Sequence, residues 1–144
     1  MRKISIASDH HGVNIKSKII EYLRKRDCDI IDCGPFNNDA VDYPVYAFKV
    51  ADSVAKNESE LGILICYTGI GMSIACNRIK KIRCARVTNV DDAKHARIDN
   101  DANVIAFSSE LPLYAIYDIL DAFLNTEFSK LERHQRRIDL MDGE

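Results

Sequence analysis

The sequence has almost no excess charge: 20 Lys and Arg stand against 22 Asp and Glu among 144 residues, a formal net charge of -2 at pH 7. A dedicated nucleic-acid surface would carry a clustered basic excess, so that class is excluded. Long apolar runs are missing too, and none approaches the ~20 residues that cross a bilayer. Met1-Arg2-Lys3 leads only into the short run Ile4 to Ala7, which does not read as a signal peptide. With three prolines, six glycines, no internal repeat and no biased tract, the chain offers no linker and no fibrous signature. The five cysteines (28, 33, 66, 76 and 84) are odd in number and contain no CxxC pair, so neither a disulfide framework nor a zinc ribbon is implied. Free thiols fit a reducing compartment, and a cytoplasmic location is expected. Cys28, Cys33, Cys76 and Cys84 are read as small core hydrophobes.

What is present is an alternation of strand and helix signals over a single domain, 1–144. Strand-like runs lie at Lys3–Ala7, Asp29–Cys33, Leu61–Ile65, Ile82–Val87 and Asn103–Phe107. Between them come helical spacings at 13–26 (Val13, Ile15, Ile19, Ile20, Leu23), after Asp42-Tyr43-Pro44 (Ala47, Phe48, Ala51, Val54), at Gly71–Arg78, at about Asp91–Ile98, and from Pro112 onward (Leu113, Ile116, Tyr117, Leu120, Phe123/Leu124). Asp42 is expected to cap its helix with Pro44 in the first turn. Such alternation predicts βαβ units: an α/β, Rossmann-like α/β/α sandwich on a five-stranded parallel sheet, with ligands at the carboxyl ends of the strands. Ser129–Glu144 lies beyond this pattern. It is either an arm or helix that docks on a neighbouring subunit or a solvated tail.

The polar residues fall at the predicted strand ends. Asp9-His10 follows the first strand, Cys66-Tyr67-Thr68-Gly69 the third and Asn89 the fourth. The run Ile63-Leu64-Ile65-Cys66-Tyr67-Thr68-Gly69-Ile70-Gly71-Met72-Ser73 delivers a thiol to the mouth of a helix, where unpaired N–H groups favour anions. Cys66 is a candidate nucleophile or base there. The loop is neither a P-loop nor a dinucleotide fingerprint. His10 and His11 would point to opposite faces of a strand, and no second ligand cluster has zinc spacing, so no metal is expected. Arg133 and Arg137, four apart, share a helical face that could grip a phosphate or could be a solvated basic surface.

Taken together, Ser8-Asp9-His10-His11-Gly12, Val41-Asp42-Tyr43-Pro44, Ile65 through Ala75, Asn77-Arg78, Asn100-Asp101-Ala102-Asn103-Val104 and Arg133-His134-Gln135-Arg136-Arg137 resemble the ribose-5-phosphate isomerase B family and its galactose-6-phosphate isomerase relatives. The resemblance spans essentially the whole chain. It implies an aldose–ketose isomerase that interconverts ribose 5-phosphate and ribulose 5-phosphate without metal or cofactor, in the non-oxidative pentose phosphate pathway. It also implies a homodimer, or dimer of dimers, with active sites shared between subunits, and no nucleic-acid or membrane partner. By the same resemblance Cys66 is the base; Thr68 and the N–H groups of residues 67–71, namely Tyr67, Gly69, Ile70 and Gly71 with Thr68 itself, hold the enediolate. His10, Arg133 and Arg137 bind the phosphate, Asp9, Tyr43 and Asn100 the sugar hydroxyls, and Ser73 belongs to the substrate-binding set. Related alternatives are an allose or galactose 6-phosphate isomerase and a non-catalytic phosphosugar-binding paralogue. A flavodoxin-like or nucleotide-binding module would use the same edge without catalysis.

Three positions depart from the family pattern, and a fourth, Met72, separates two forms of it. Some members carry a glutamate base in the glycine loop, where Met72 stands here. Asp99 replaces the histidine that opens the sugar ring, which leaves His95, one turn earlier, or a protonated Asp99 for that step, unless it is uncatalysed. Glu110 stands where many relatives have a phosphate-binding arginine, so it is expected to point away or to be offset by Arg136. Tyr67 replaces a glycine and is expected to narrow the site or shift the loop.

Overall fold

The computed structural model describes residues 1–143. Five parallel strands, β1 (Arg2–Ser8), β2 (Cys28–Asp32), β3 (Leu61–Cys66), β4 (Cys84–Arg86) and β5 (Val104–Ser108), form one sheet in the order β2-β1-β3-β5-β4. The helices are α1 (Val13–Arg24), α2 (Tyr43–Ala55), α3 (Ile70–Cys76), α4 (Val90–Asn100), α5 (Leu113–Asn125) and α6 (Glu132–Asp142). A 3-10 turn, His10–Gly12, sits between β1 and α1. The expected doubly wound sandwich is therefore present. β4 is shorter than its apolar run, although Val87 still donates its N–H to Ala106 beyond the strand's end.

The strands alternate their side chains between two apolar layers. Ile4, Ile6, Ile63, Ile65, Ile105 and Phe107 pack with α1, α4 and α5. Ala7, Leu64, Cys66, Val104 and Ala106 pack with α2 and α3. Burying each of the Ile, Leu, Val and Phe side chains among these contributes roughly 1.5–3 kcal/mol, so both faces of the sheet must be covered. Gly62 lies where α2 crosses β3: a Cβ there would stand 2.5 Å from Val50 Cγ1. On α2 the buried stripe is Ala47, Val50, Ala51 and Val54, and Phe48 is exposed, contrary to the expectation that it faces inward. Phe48 lies three residues from exposed Val45, on the neighbouring helical face. Asp42 occupies the N-cap position of α2, but its side chain makes no capping bond; Pro44 is in the first turn as expected.

Lys16 is the largest polar side chain in the interior. Its side chain is 2% exposed and its Nζ donates to Asp32 Oδ1 at 2.6 Å and to the Pro35 carbonyl at 2.9 Å. Asp32 Oδ1 also accepts the Gly34 N–H. One buried cation thus ties α1 to the end of β2 and the loop leading to α2. Replacing it removes a donor from both the Asp32 carboxylate and the Pro35 carbonyl, so Lys16→Met is expected to cost about 2–4 kcal/mol in a urea unfolding measurement.

The C-terminal segment is not a solvated tail. Ile138 of α6 is buried, Arg83 Nη1 pairs with Asp142 at 2.8 Å, and the His134 ring lies against Asp99.

Candidate active site

The chain leaves β1 toward β2 on one side and returns to β3 on the other, so a crevice opens between the carboxyl ends of β1 and β3. Ser8 is in register with Ile65, which sets Asp9 beside Cys66. The Asp9 N–H donates to the Ile65 carbonyl at 2.9 Å. Asp9 is 6% exposed and accepts from four protein donors. Its Oδ1 takes the N–H groups of His11 (2.9 Å) and Gly12 (3.1 Å); its Oδ2 takes the Tyr67 N–H (3.3 Å) and meets His11 Nδ1 at 3.1 Å. In this chain Asp9 joins the β1 and β3 loops.

Cys66 ends β3 and is 6% exposed, with its side chain on the α2–α3 side of the sheet. Its Sγ accepts the Gly69 N–H at 3.0 Å. Gly69 must be glycine on two counts: its φ is +79°, and a Cβ would meet the Phe107 backbone at 2.8 Å. The Ile70 N–H donates to Thr68 Oγ1 at 3.1 Å. Of the loop N–H groups in 67–71, those of Tyr67, Gly69 and Ile70 are therefore taken by Asp9, Cys66 and Thr68, and those of Thr68 and Gly71 have no acceptor among the described residues. This narrows the expected oxyanion donors to those two.

The loop's carbonyls are fixed as well. Ser108 Oγ donates to the Tyr67 carbonyl at 2.6 Å, and Arg86 Nε to the Thr68 carbonyl at 3.2 Å. Ser73 Oγ donates to the Ile70 carbonyl at 2.7 Å. Tyr43, at the start of α2, lies directly over Gly71, where a Cβ would stand 2.6 Å from its ring. Arg86 escaped the sequence reading because a cation at a strand end has no distinguishing spacing. The Cys28 and Cys33 thiols are pushed up, first by burial; that of Cys84 is pushed well up, first by its hydrogen bond with Cys76 and then by burial. These thiols suit packing rather than proton transfer.

His10 and His11 do not point to opposite faces, because they lie in the 3-10 turn and not on β1; their ring centroids are 4.3 Å apart. His10 Nδ1 accepts the Val41 N–H at 3.4 Å, which leaves its Nε2 as the donor available to an anion. Among the described residues, no group of three or more His, Cys, Asp and Glu side chains converges as a metal site would.

With this geometry in place, the comparisons with known proteins are unambiguous. Residues 4–141 match the family described as Ribose/Galactose Isomerase. The chain belongs to that family. Ribose-5-phosphate isomerase B of Escherichia coli is 39% identical over 140 residues, covering 96% of this chain and 93% of that protein. The structure of Clostridium thermocellum ribose-5-phosphate isomerase B superposes with a TM-score of 0.95 at 42% identity, covering 98% and 95% of the two chains. That of the Mycoplasma genitalium enzyme with bound ribulose-5-phosphate gives 0.93 at 41%, covering 98% and 94%. The fold read from the residues and the isomerase class implied by the resemblance are those of the family.

The other expected site residues lie elsewhere in the chain. α4 runs back from the carboxyl edge of β4, so Asp99 and Asn100 at its end stand at the amino edge of the sheet. A strand of this length separates the edges by roughly 17–20 Å. His95 Nδ1 is 3.5 Å from Asp99 Oδ2, and His134 Nε2 is 3.7 Å from Asp99 Oδ1. Two imidazoles thus flank the Asp99 side chain. Arg133 and Arg137 on α6 are exposed and form no ion pair among the described residues. Within one chain these residues do not meet Cys66. Arg136 cannot offset Glu110 here, since its Nη1 is held by Glu132 at 2.8 Å on α6, while Glu110 follows β5 at the carboxyl edge.

Proposed function

We propose that this chain interconverts ribose 5-phosphate and ribulose 5-phosphate through an enediolate, with Cys66 as the base, as part of the non-oxidative pentose phosphate pathway. The observation that carries the reading is the Cys66 sulfur, oriented by the Gly69 N–H and set beside the open N–H groups of Thr68 and Gly71. Isomerisation moves a proton between C1 and C2, so it needs a base at those carbons and donors for the charge that develops on their oxygens. Met72 is buried and cannot take a proton, which leaves the thiol as the loop's proton acceptor.

The phosphate end is completed by a second copy of the chain. His10 presents its Nε2 proton at the carboxyl edge, and the free guanidinium groups of Arg133 and Arg137 reach that edge only from a partner. Asn100, Asp99 and His95 arrive with them. Val45 and Phe48 on α2, and Ile70 and Ile74 on the adjoining α3, are exposed apolar side chains of the kind a homodimer covers.

The Tyr67 side chain, 56% exposed, stands at the crevice mouth and reduces its room, which favours a five-carbon substrate over a six-carbon one. Assaying the purified protein with ribose 5-phosphate and allose 6-phosphate tests the function. The expected outcome is a kcat/KM at least about tenfold higher for the pentose phosphate. No turnover of either sugar phosphate would overturn the reading.

A further inference from the structure

Asp99 stands in place of the histidine expected to open the sugar ring, yet the crevice beside Cys66 holds a proton-transfer pair of its own. Asp9 is buried and accepts three backbone N–H groups, so its carboxylate acts as an acceptor toward His11, the one side chain hydrogen-bonded to it among the described residues. Nδ1 of His11, 3.1 Å from Asp9 Oδ2, therefore carries the hydrogen, and Nε2 is left free. Half of the His11 side chain is exposed, so this nitrogen is accessible. His10 has the reverse arrangement: Val41 donates to its Nδ1, which fixes the hydrogen on Nε2. The same turn thus presents one imidazole as a permanent donor and one that can take a proton and return it. A carboxylate holding Nδ1–H in this way sets the tautomer and stabilises the imidazolium when it forms. The ring of Tyr67, the residue after Cys66, lies 5.6 Å from that of His11 and forms the adjacent wall.

We infer that His11, oriented by the buried Asp9 carboxylate, opens the furanose ring of the substrate before the enediolate step. The inference rests on the isomerase reading proposed above. Neutral Nε2 takes the proton of the C1 hydroxyl; the C1=O bond forms as the bond from C1 to the ring oxygen breaks. The imidazolium then returns that proton to the departing oxygen, which becomes the C4 hydroxyl. No proton is gained or lost overall, and Asp9 balances the transient charge. The assignment moves ring opening from His95 and Asp99, which reach this edge only from a partner subunit, to a residue of the same chain as Cys66.

His11→Asn tests this, because its amide can still donate to Asp9. His11→Phe is the second variant, keeping a ring against Tyr67. Two reactions are followed for each. Consumption of ribose 5-phosphate requires ring opening. Exchange of the ribulose 5-phosphate C1 hydrogen in D2O does not, since that ketose, its C5 oxygen esterified, cannot close a five-membered ring. In both variants, ribose 5-phosphate consumption is expected to fall about 100-fold or more and to become independent of enzyme concentration when enzyme is plentiful, limited by spontaneous opening; exchange stays within about threefold of wild type. Wild-type rates in both reactions would overturn the inference, as would equal losses in both, which would mark His11 as structural. A wild-type protein that neither consumes ribose 5-phosphate nor exchanges ribulose 5-phosphate would instead overturn the isomerase reading beneath it.

Discussion

Cys66→Ser is expected to lower kcat for ribose 5-phosphate by about 10²–10⁴-fold, with substrate affinity changed only a few-fold. The serine hydroxyl is nearly isosteric and can accept the same Gly69 N–H, so the loop keeps its path. It is a far weaker acid than a thiol, so the conjugate base needed to remove a carbon-bound proton is scarcely populated. In the proposed reading the phosphate contacts lie at the other end of the sugar, which is why binding and turnover are expected to separate. Steady-state kinetics of ribose 5-phosphate, with binding of the substrate followed independently by calorimetry, checks both halves of the expectation. Equal loss of affinity and turnover would mean that the substitution had disturbed the loop rather than the proton transfer.

The second large effect concerns the assembly. Arg137→Ala removes a guanidinium that, in the proposed dimer, serves the partner's site, and alone it is expected to raise KM by about 10–100-fold. Mixing Cys66→Ser and Arg137→Ala chains by unfolding and refolding together should restore activity that neither has alone. A mixed dimer holds one site with both lesions and one with neither. With random pairing, half of the dimers are mixed, so about a quarter of wild-type activity is expected at subsaturating substrate. Activity no greater than the average of the two parents would place each site within one chain. That outcome is hard to reconcile with the opposite-edge positions of Cys66 and Arg137 on the sheet.

Much of this arrangement was legible in the sequence. The strand–helix alternation predicted the sandwich, because apolar runs of five or six residues bounded by polar loops have few other ways to be buried. Cys66 and the glycine loop stood out because a thiol, two glycines and a helix start coincide at one strand end. What stayed hidden depends on which donors and acceptors find each other in space. Periodicity does not reveal that Tyr67, Gly69 and Ile70 have already spent their N–H groups on Asp9, Cys66 and Thr68. Adjacent histidines look divergent if the segment is taken as a strand, whereas the 3-10 turn sets their rings side by side. Lys16 reads as one more surface lysine of an amphipathic helix until Asp32 and the Pro35 carbonyl are seen around its ammonium. Phe48 counts as core by hydrophobicity alone, but the helical phase assigns that role to Val50 and Ala51.

Proton transfer at C1 and C2 by the Cys66 thiol is the claim on which the rest depends. Its most direct measurement follows ribulose 5-phosphate by proton NMR in D2O, in the presence of the wild-type protein or Cys66→Ser. The wild type is expected to replace one C1 hydrogen with deuterium stereospecifically as the enediolate forms and collapses, and Cys66→Ser to slow that exchange by about 10²-fold or more. Exchange at the wild-type rate in Cys66→Ser would contradict the account, because the base would then be another group.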